Sequence, residues 1–251
     1  MAIFKKAKNA TPKSSKFSLR KDVRGMDCRV LTELFETDDA VQSWRIFRIM
    51  SEFVNGFDIL RKYSTAATFF GSARLTPQDT YYKDAELLAS KLAKKGFAII
   101  TGGGPGIMEA ANVGSYKVGG KSIGLNIQLP MEQKLNPYVT ESESFHFFFS
   151  RKVMLSFASE VYVYFPGGFG TLDEFLEIVT LIQTRKISKI PVVLYGKDFW
   201  TPLIEFFDTQ LLKKYKTISK EDFELFQVVD SVEDAYDYII KHVDPTSPRQ
   251  I

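Results

Sequence analysis

A chain of 251 residues, 45% apolar and carrying 22 phenylalanines, can bury one large core, so a single main domain is expected. No stretch approaches the roughly 18 uninterrupted apolar residues of a membrane span, and the lone Cys28 excludes an internal disulfide and fits a reducing cytoplasm. The net charge is only +3, and two histidines, His146 and His242, are poor material for a histidine-rich metal site or a Ser-His-Asp triad, so no metal is expected.

Residues 1–22 hold Lys5, Lys6, Lys8, Lys13, Lys16, Arg20 and Lys21 against Asp22 alone and contain no apolar run, which predicts a disordered basic tail. With no basic fold behind it, no nucleic-acid partner is expected. Residues 23–62 form a helical extension. Within it Ile46, Met50, Phe53, Phe57 and Leu60 step by four and three, widened by Phe47 and Val54, as in an amphipathic helix packed against the domain or a second subunit. That aromatic stripe favours a homo-oligomer.

From residue 63 to 243 strands and helices alternate. Thr65–Phe70 reads as a strand ending in Gly71-Ser72, and a helix from Gln78 to Lys95 stops at Gly96. Phe97–Ile100 is a second strand, leading through Thr101-Gly-Gly-Gly-Pro-Gly106 into a helix at Ile107–Tyr116, with Pro105 suited to its first turn. The glycine spacing does not match a dinucleotide fingerprint, which disfavours a dehydrogenase. Ser115–Ser122 resembles a P-loop, but its first glycine falls one place early, at Gly114, and the segment leads into a strand, Lys121–Asn126.

Leu129–Asn136 reads as a polar loop and Tyr138–Glu141 as a short strand, before a buried helix over Ser144–Ser159. Arg151 leaves that helix among Phe147, Phe148, Met154 and Leu155, where an unpaired charge is costly. It either meets a ligand anion there, or it snorkels to solvent or pairs with a structural carboxylate. Glu160–Phe165 is a doubly buried strand, followed by Pro166-Gly-Gly-Phe-Gly-Thr-Leu-Asp-Glu174 and a helix running to Arg185. Three glycines in four positions at a helix start make an anion site, most simply for phosphate. Thr171-x-x-Glu174 reads equally as a capping box, with Glu174 in the first turn. A strand at Ile190–Tyr195, a helix at Phe199–Leu212, a strand at Phe226–Val229 and a helix at Ser231–His242 complete the domain, and residues 244–251 form a loose tail. The pattern predicts an α/β fold: a Rossmann-like, doubly wound parallel sheet with helices on both faces. The glycine turns at Gly71, Gly102–Gly106 and Gly167–Gly170 all fall at carboxyl ends of strands, where they can share one crevice.

Gly102-Gly-Gly-Pro-Gly-Ile-Met-Glu109-Ala-Ala-Asn112, Ser150-Arg151-Lys152 and Pro166-Gly-Gly-x-Gly-Thr-x-x-Glu174 together resemble the LONELY GUY (LOG) family, once labelled lysine decarboxylase-like, over residues 65–200. The resemblance implies a cytoplasmic phosphoribohydrolase without cofactor. Its small-molecule substrate would be adenosine monophosphate (AMP) or a cytokinin riboside monophosphate, cleaved to free base and ribose 5-phosphate. It further implies Arg151 and Glu174 as catalytic residues, and phosphate held on Gly167, Gly168, Gly170 and Thr171 with help from Gly71 and Ser72. Gly103 and Gly104 would line the nucleotide site. Glu109 matches a position that contacts ribose, and reads equally as an acid placed for the helix dipole. The decarboxylase label asks for a Schiff-base lysine, and Lys152, the only lysine in the core motifs, follows an arginine with no pyridine-nitrogen partner visible. A non-catalytic nucleotide-binding module of the same fold is the alternative; it has no need of the carboxylate at Glu174.

Overall fold

A computed structural model describes residues 38–128 and 135–244. The expected basic tail, the start of the helical extension, most of the polar loop and nearly all of the last tail lie outside the described residues. Seven strands form one sheet: β1 (Ala66–Phe70), β2 (Ala98–Thr101), β3 (Ser122–Ile127), β4 (Glu141–Phe145), β5 (Val161–Tyr164), β6 (Val192–Tyr195) and β7 (Gln227–Val229). Their order is β4-β3-β2-β1-β5-β6-β7, and every neighbouring pair is parallel. The helices are α1 (Asp38–Leu60), α2 (Thr80–Lys94), α3 (Ile107–Lys117), α4 (Phe148–Ser156), α5 (Phe169–Gln183), α6 (Lys197–Phe206) and α7 (Val232–His242). The helix expected at Phe199–Leu212 is α6 continued by a π-helical stretch, Phe207–Lys214.

Two hydrophobic layers cover the sheet, as alternation along its strands requires. Ala66 and Phe70 of β1 face a core with residues of α1, α4, α5 and α6, whereas Ala67 and Phe69 face one with residues of α2, α3 and α7. The fold is therefore the doubly wound α/β sheet that the alternating pattern predicts. On the first face Phe175 packs edge to face with Tyr164, Trp200 and Phe226, its ring 5.4 to 5.6 Å from each. Full burial of such a ring is worth about 1.5–3 kcal/mol, enough to hold α5 in one register on the sheet.

Contacts divide the chain into Met1–Arg48 and Ile49–Ile251. In the first unit the rings of Trp44 and Phe47 meet edge to face at 6.2 Å. In the second, the predicted stripe of α1 is corrected. Met50, Val54 and Phe57 are exposed, and the buried positions are Glu52, Gly56, Ile59 and Leu60, with Phe53 half-buried. At Gly56 α1 approaches its neighbour too closely for a side chain, with a Cβ there only 2.5 Å from Met154 Sδ, and Glu52 is buried on hydrogen bonds to the segment before α4 instead of apolar contact.

The segment around residue 144 is also corrected. Instead of one helix over Ser144–Ser159, Glu141–Phe145 is the edge strand β4, and helix begins only at Phe148. Phe148, Phe149 and Phe157 are exposed, so α4 is not buried all round. Glu-Ser-Glu-Ser alternates outward in the manner of a sheet edge, where charge discourages further pairing.

Candidate functional site

The strand order places β2, β1 and β5 side by side, with chain direction across the sheet reversing between β1 and β5. Ligands of doubly wound sheets bind beyond the carboxyl ends at such a reversal. The three glycine turns meet there. Ser72 N–H donates to the Pro166 carbonyl at 2.9 Å, and Ile107 N–H donates to the Ser72 carbonyl at 3.0 Å, so the turn after β1 is tied to both others. These contacts need glycine. A Cβ on Gly71 would lie 2.7 Å from the Ile107 side chain, and one on Gly106, at φ +72°, only 2.2 Å from the Ser72 carbonyl oxygen. A Cβ on Gly167 would meet Thr171 Oγ1 at 2.1 Å. Gly168 and Gly170, in contrast, face open space.

The Gly168–Thr171 segment opens α5 without a side-chain cap. Gly168 is the capping position, so the capping-box reading of Thr171-x-x-Glu174 is corrected: Thr171 is the third helical residue and buried, its N–H bonded to the Gly168 carbonyl at 3.0 Å. Glu174 accordingly stands in the second turn and not the first. The exposed start of α5 keeps the partial positive charge of an uncapped helix end beside two open glycines, a suitable seat for phosphate. Phe169, between those glycines, is 94% exposed.

The turn after β2 is held from below by buried polar groups. Thr101 Oγ1 donates to Asn112 Oδ1 at 2.7 Å and accepts from Gly103 N–H at 2.9 Å. Asn136 donates its side-chain N–H groups to the Gly104 carbonyl and to Asn112 Oδ1, and its backbone N–H to the Gly103 carbonyl. Gly103 and Gly104 thus lie at the crevice with these polar groups engaged in the framework. Pro105 precedes the helix, which starts at Ile107 after Gly106, and is not in its first turn.

Arg151, on α4, points back over this turn. Its Nε–H donates to the Leu125 carbonyl of β3 at 2.7 Å, and a Cβ on Gly102 would lie 2.2 Å from Nη2. Burial draws the guanidinium below its ordinary pKa and the charge of Glu174 draws it back up. Of the two readings left open by sequence, the arginine turns inward. Glu174 is itself buried, and burial pushes its carboxyl up to about 7, with Lys152 and Arg151 opposing that rise and Glu177 and Asp173 adding to it. Tyr164 fixes the backbone there, donating its hydroxyl to the Glu174 carbonyl at 3.1 Å. Lys152 pairs with Asp173 at 2.5 Å and Glu177 at 3.5 Å. Burial works against its charge, but the Asp173 hydrogen bond and the charges of Glu177, Glu174 and Asp173 outweigh it and hold the ammonium above its ordinary range.

Glu109, in the first turn of α3, accepts from the Tyr82 hydroxyl at 3.2 Å. Sequence reading named Gly102 only as part of its turn and not as the residue whose missing side chain makes room for Arg151, and it passed over the Leu125 carbonyl, for which no side chain is a signal. It also passed over Asn126, whose Oδ1 is a buried acceptor without a hydrogen-bond partner beside that carbonyl. Among the described residues no cluster of three metal-ligating side chains occurs, and no helix is long and apolar enough to cross a membrane. A cavity of about 880 Å³ opens at the opposite end of the sheet, beside Thr65, Glu160 and Pro191, and none of the site residues lines it.

A doubly wound α/β protein with a glycine-lined crevice at its switch point is the class that this geometry defines. Within that class, the chain belongs to the family described as "Possible lysine decarboxylase", whose sequence model matches residues 108–239, the LOG family of the sequence resemblance. It is 30% identical over 151 residues to the rice (Oryza sativa subsp. japonica) "Probable cytokinin riboside 5'-monophosphate phosphoribohydrolase LOGL3", covering 59% of this chain and 70% of the relative. Against the rice "Cytokinin riboside 5'-monophosphate phosphoribohydrolase LOG" it is 30% identical over 152 residues, or 59% of this chain and 61% of the relative. Among solved structures, TM1055 superposes with a TM-score of 0.53 at 26% identity, covering 70% of this chain and 99% of that one.

Proposed function

We propose that this chain is a phosphoribohydrolase that hydrolyses the N-glycosidic bond of a nucleoside 5′-monophosphate, either AMP or a cytokinin riboside 5′-monophosphate. The reading is carried by one juxtaposition: Glu174, a buried carboxyl poised near neutrality, lies within the electrostatic reach of Arg151, one turn beyond a helix start open to anions. Phosphate at Gly168, Gly170 and Thr171, flanked by Gly71, Ser72 and Gly167, anchors the far end of the ribose. The anomeric carbon then comes towards Glu174. As the bond from that carbon to the base breaks, positive charge grows on the sugar, and an ionised carboxylate in a water-poor site stabilises it. Water adds its oxygen to the anomeric carbon, and its proton balances the departing base. Arg151 favours the ionised form of Glu174 and orients the substrate. Binding energy from the phosphate supplies orientation, so a nucleoside without phosphate reacts poorly.

The names of the rice relatives support this substrate class. Schiff-base chemistry at Lys152 is disfavoured because its pairing with Asp173 and Glu177 keeps the amine protonated. We also infer self-association through the exposed face of α1 at Met50, Val54 and Phe57.

The test is chromatographic release of free base from AMP and from prenylated AMP, with adenosine as the phosphate-free control. The wild type is expected to release adenine from AMP, or the prenylated base from its nucleotide, with little from adenosine. Arg151→Ala and Glu174→Gln are each expected to lose most of the rate, at least about a hundredfold. No base from any nucleotide overturns the enzyme reading and leaves a nucleotide-binding module.

A further inference from the structure

We propose that Glu52, on the N-terminal helix α1, is a positioning residue for Arg151: its carboxylate seats the amino end of α4 and thereby sets where the guanidinium stands beside Glu174. This inference rests on the phosphoribohydrolase reading for its effect on rate.

Glu52 is buried, and both its oxygens are directed at the start of α4. Oε1 accepts from His146 N–H at 2.8 Å, and Oε2 accepts from Phe147 N–H at 3.2 Å and from the Ser150 hydroxyl. Phe147, the capping residue of α4, supplies no side-chain cap of its own. The Phe147 N–H, one of the N–H groups that a helix start leaves unpaired, is therefore met from another element, by an acidic side chain at the favourable end of the helix dipole. One turn further along α1, Gly56 lets the two helices touch, since a Cβ there would lie 2.5 Å from Met154 Sδ. Lys62 and Tyr63 pair with Glu141 of β4, so the same segment also holds the strand leading into α4.

Arg151 is the next residue after Ser150, and its N–H bonds to the Phe147 carbonyl at 3.3 Å. Its guanidinium must reach the Leu125 carbonyl and lie over Gly102 at once. A slide or rotation of the helix start therefore passes directly into that placement. Stability alone does not account for a carboxylate here, because a buried charge is commonly matched or bettered by an apolar side chain of similar volume. What the carboxylate adds is a single allowed seat for α4.

Two measurements test this. The first is a double-mutant cycle on base release with Glu52→Gln, Arg151→Ala and the double variant. Glu52→Gln is expected to lower kcat/KM by about ten- to a hundredfold, mainly in kcat, as removal of a supporting partner does. It is expected to cost nothing further once Arg151 is alanine. An equal loss in both backgrounds, as for a residue that only stabilises the fold, overturns the proposal.

The second needs no substrate: the Nε–H resonance of Arg151 in nitrogen-15-labelled protein, assigned by its loss in Arg151→Ala. It is expected to shift or broaden in Glu52→Gln and to stay in place in Lys91→Met, which breaks an ion pair with Glu233 away from α4. An unchanged resonance in Glu52→Gln overturns the positioning role, whatever the activity. Should Glu52→Gln not fold, Ser150→Ala, which removes one donor to the same carboxylate, is expected to move the resonance in the same direction, and no movement there overturns the role equally. A wild type inert towards every nucleotide sinks the phosphoribohydrolase reading but leaves the resonance result to decide on Glu52.

Discussion

In the proposed reaction Glu174 works as a carboxylate in surroundings that resist ionisation, and this conflict gives it a measurable signature. Its folded value of about 7 lies above the ordinary 4.5. Below pH 4.5 both folded and unfolded chains hold the proton, so the group costs nothing. Between 4.5 and 7 the unfolded chain releases it first, and stability falls as pH rises. Above 7 the whole cost is present, roughly 3 kcal/mol by linkage. Glu174→Gln is therefore expected to abolish base release yet raise unfolding free energy by roughly 3 kcal/mol at pH 8, the gain shrinking towards zero near pH 4.5. Urea titrations at the two pH values measure this, and equal stability of the two proteins at pH 8 would contradict a buried ionised carboxylate. The wild-type rate is expected to rise with pH up to about 7 and then level. Arg151 and Glu174 were both legible in the sequence, one as a charge among aromatics and the other inside a glycine motif. Their supports, the Leu125 carbonyl and the empty space over Gly102, were not, because a backbone oxygen and a missing side chain have no composition to read.

Among the elements, periodicity served best where burial is one-sided or complete. The runs of β1, β5 and β6 and the stripes of α2 and α7 stand within a few residues of their expected bounds, and Ser231 caps α7 by accepting from Asp234 N–H at 3.1 Å. The strand expected at Tyr138–Glu141 stands instead at Glu141–Phe145, because the charged, serine-rich edge strand β4 looks like a loop, and its aromatic neighbours then appeared as one long helix. The P-loop resemblance around Gly114 has its own packing reason. A Cβ on Gly114 would lie 2.1 Å from the Glu86 carbonyl oxygen, so α2 and α3 pack backbone to backbone at that residue. Gly114→Ala is expected to force the helices apart and destabilise the protein by about 1–3 kcal/mol. The urea midpoint should fall while kcat for base release changes little, since α3 begins at the crevice but Gly114 lies two turns away.

For the molecule as a whole, α1 is the element whose two faces do different work. One carries Glu52 and Gly56 into the sheet domain; the other leaves Met50, Val54 and Phe57 exposed, each with about half its surface or more in solvent. If copies meet on that face, Val54→Asp combined with Phe57→Asp is expected to convert an oligomer to monomer in sedimentation equilibrium. A wild type that sediments as a monomer at micromolar concentration rules it out.

The sequence by itself determined the doubly wound architecture and the three glycine turns, and it singled out Arg151 and Glu174 as candidates. Each of these is written in local pattern: strand runs, helical spacing, and glycines where no Cβ is tolerated. Only the tertiary structure decided which turns adjoin, that Arg151 lies over Gly102, and that α1 reaches the start of α4. Those facts depend on strand order and on contacts between residues nearly a hundred positions apart, as Glu52 and Ser150 are, and no local periodicity encodes them.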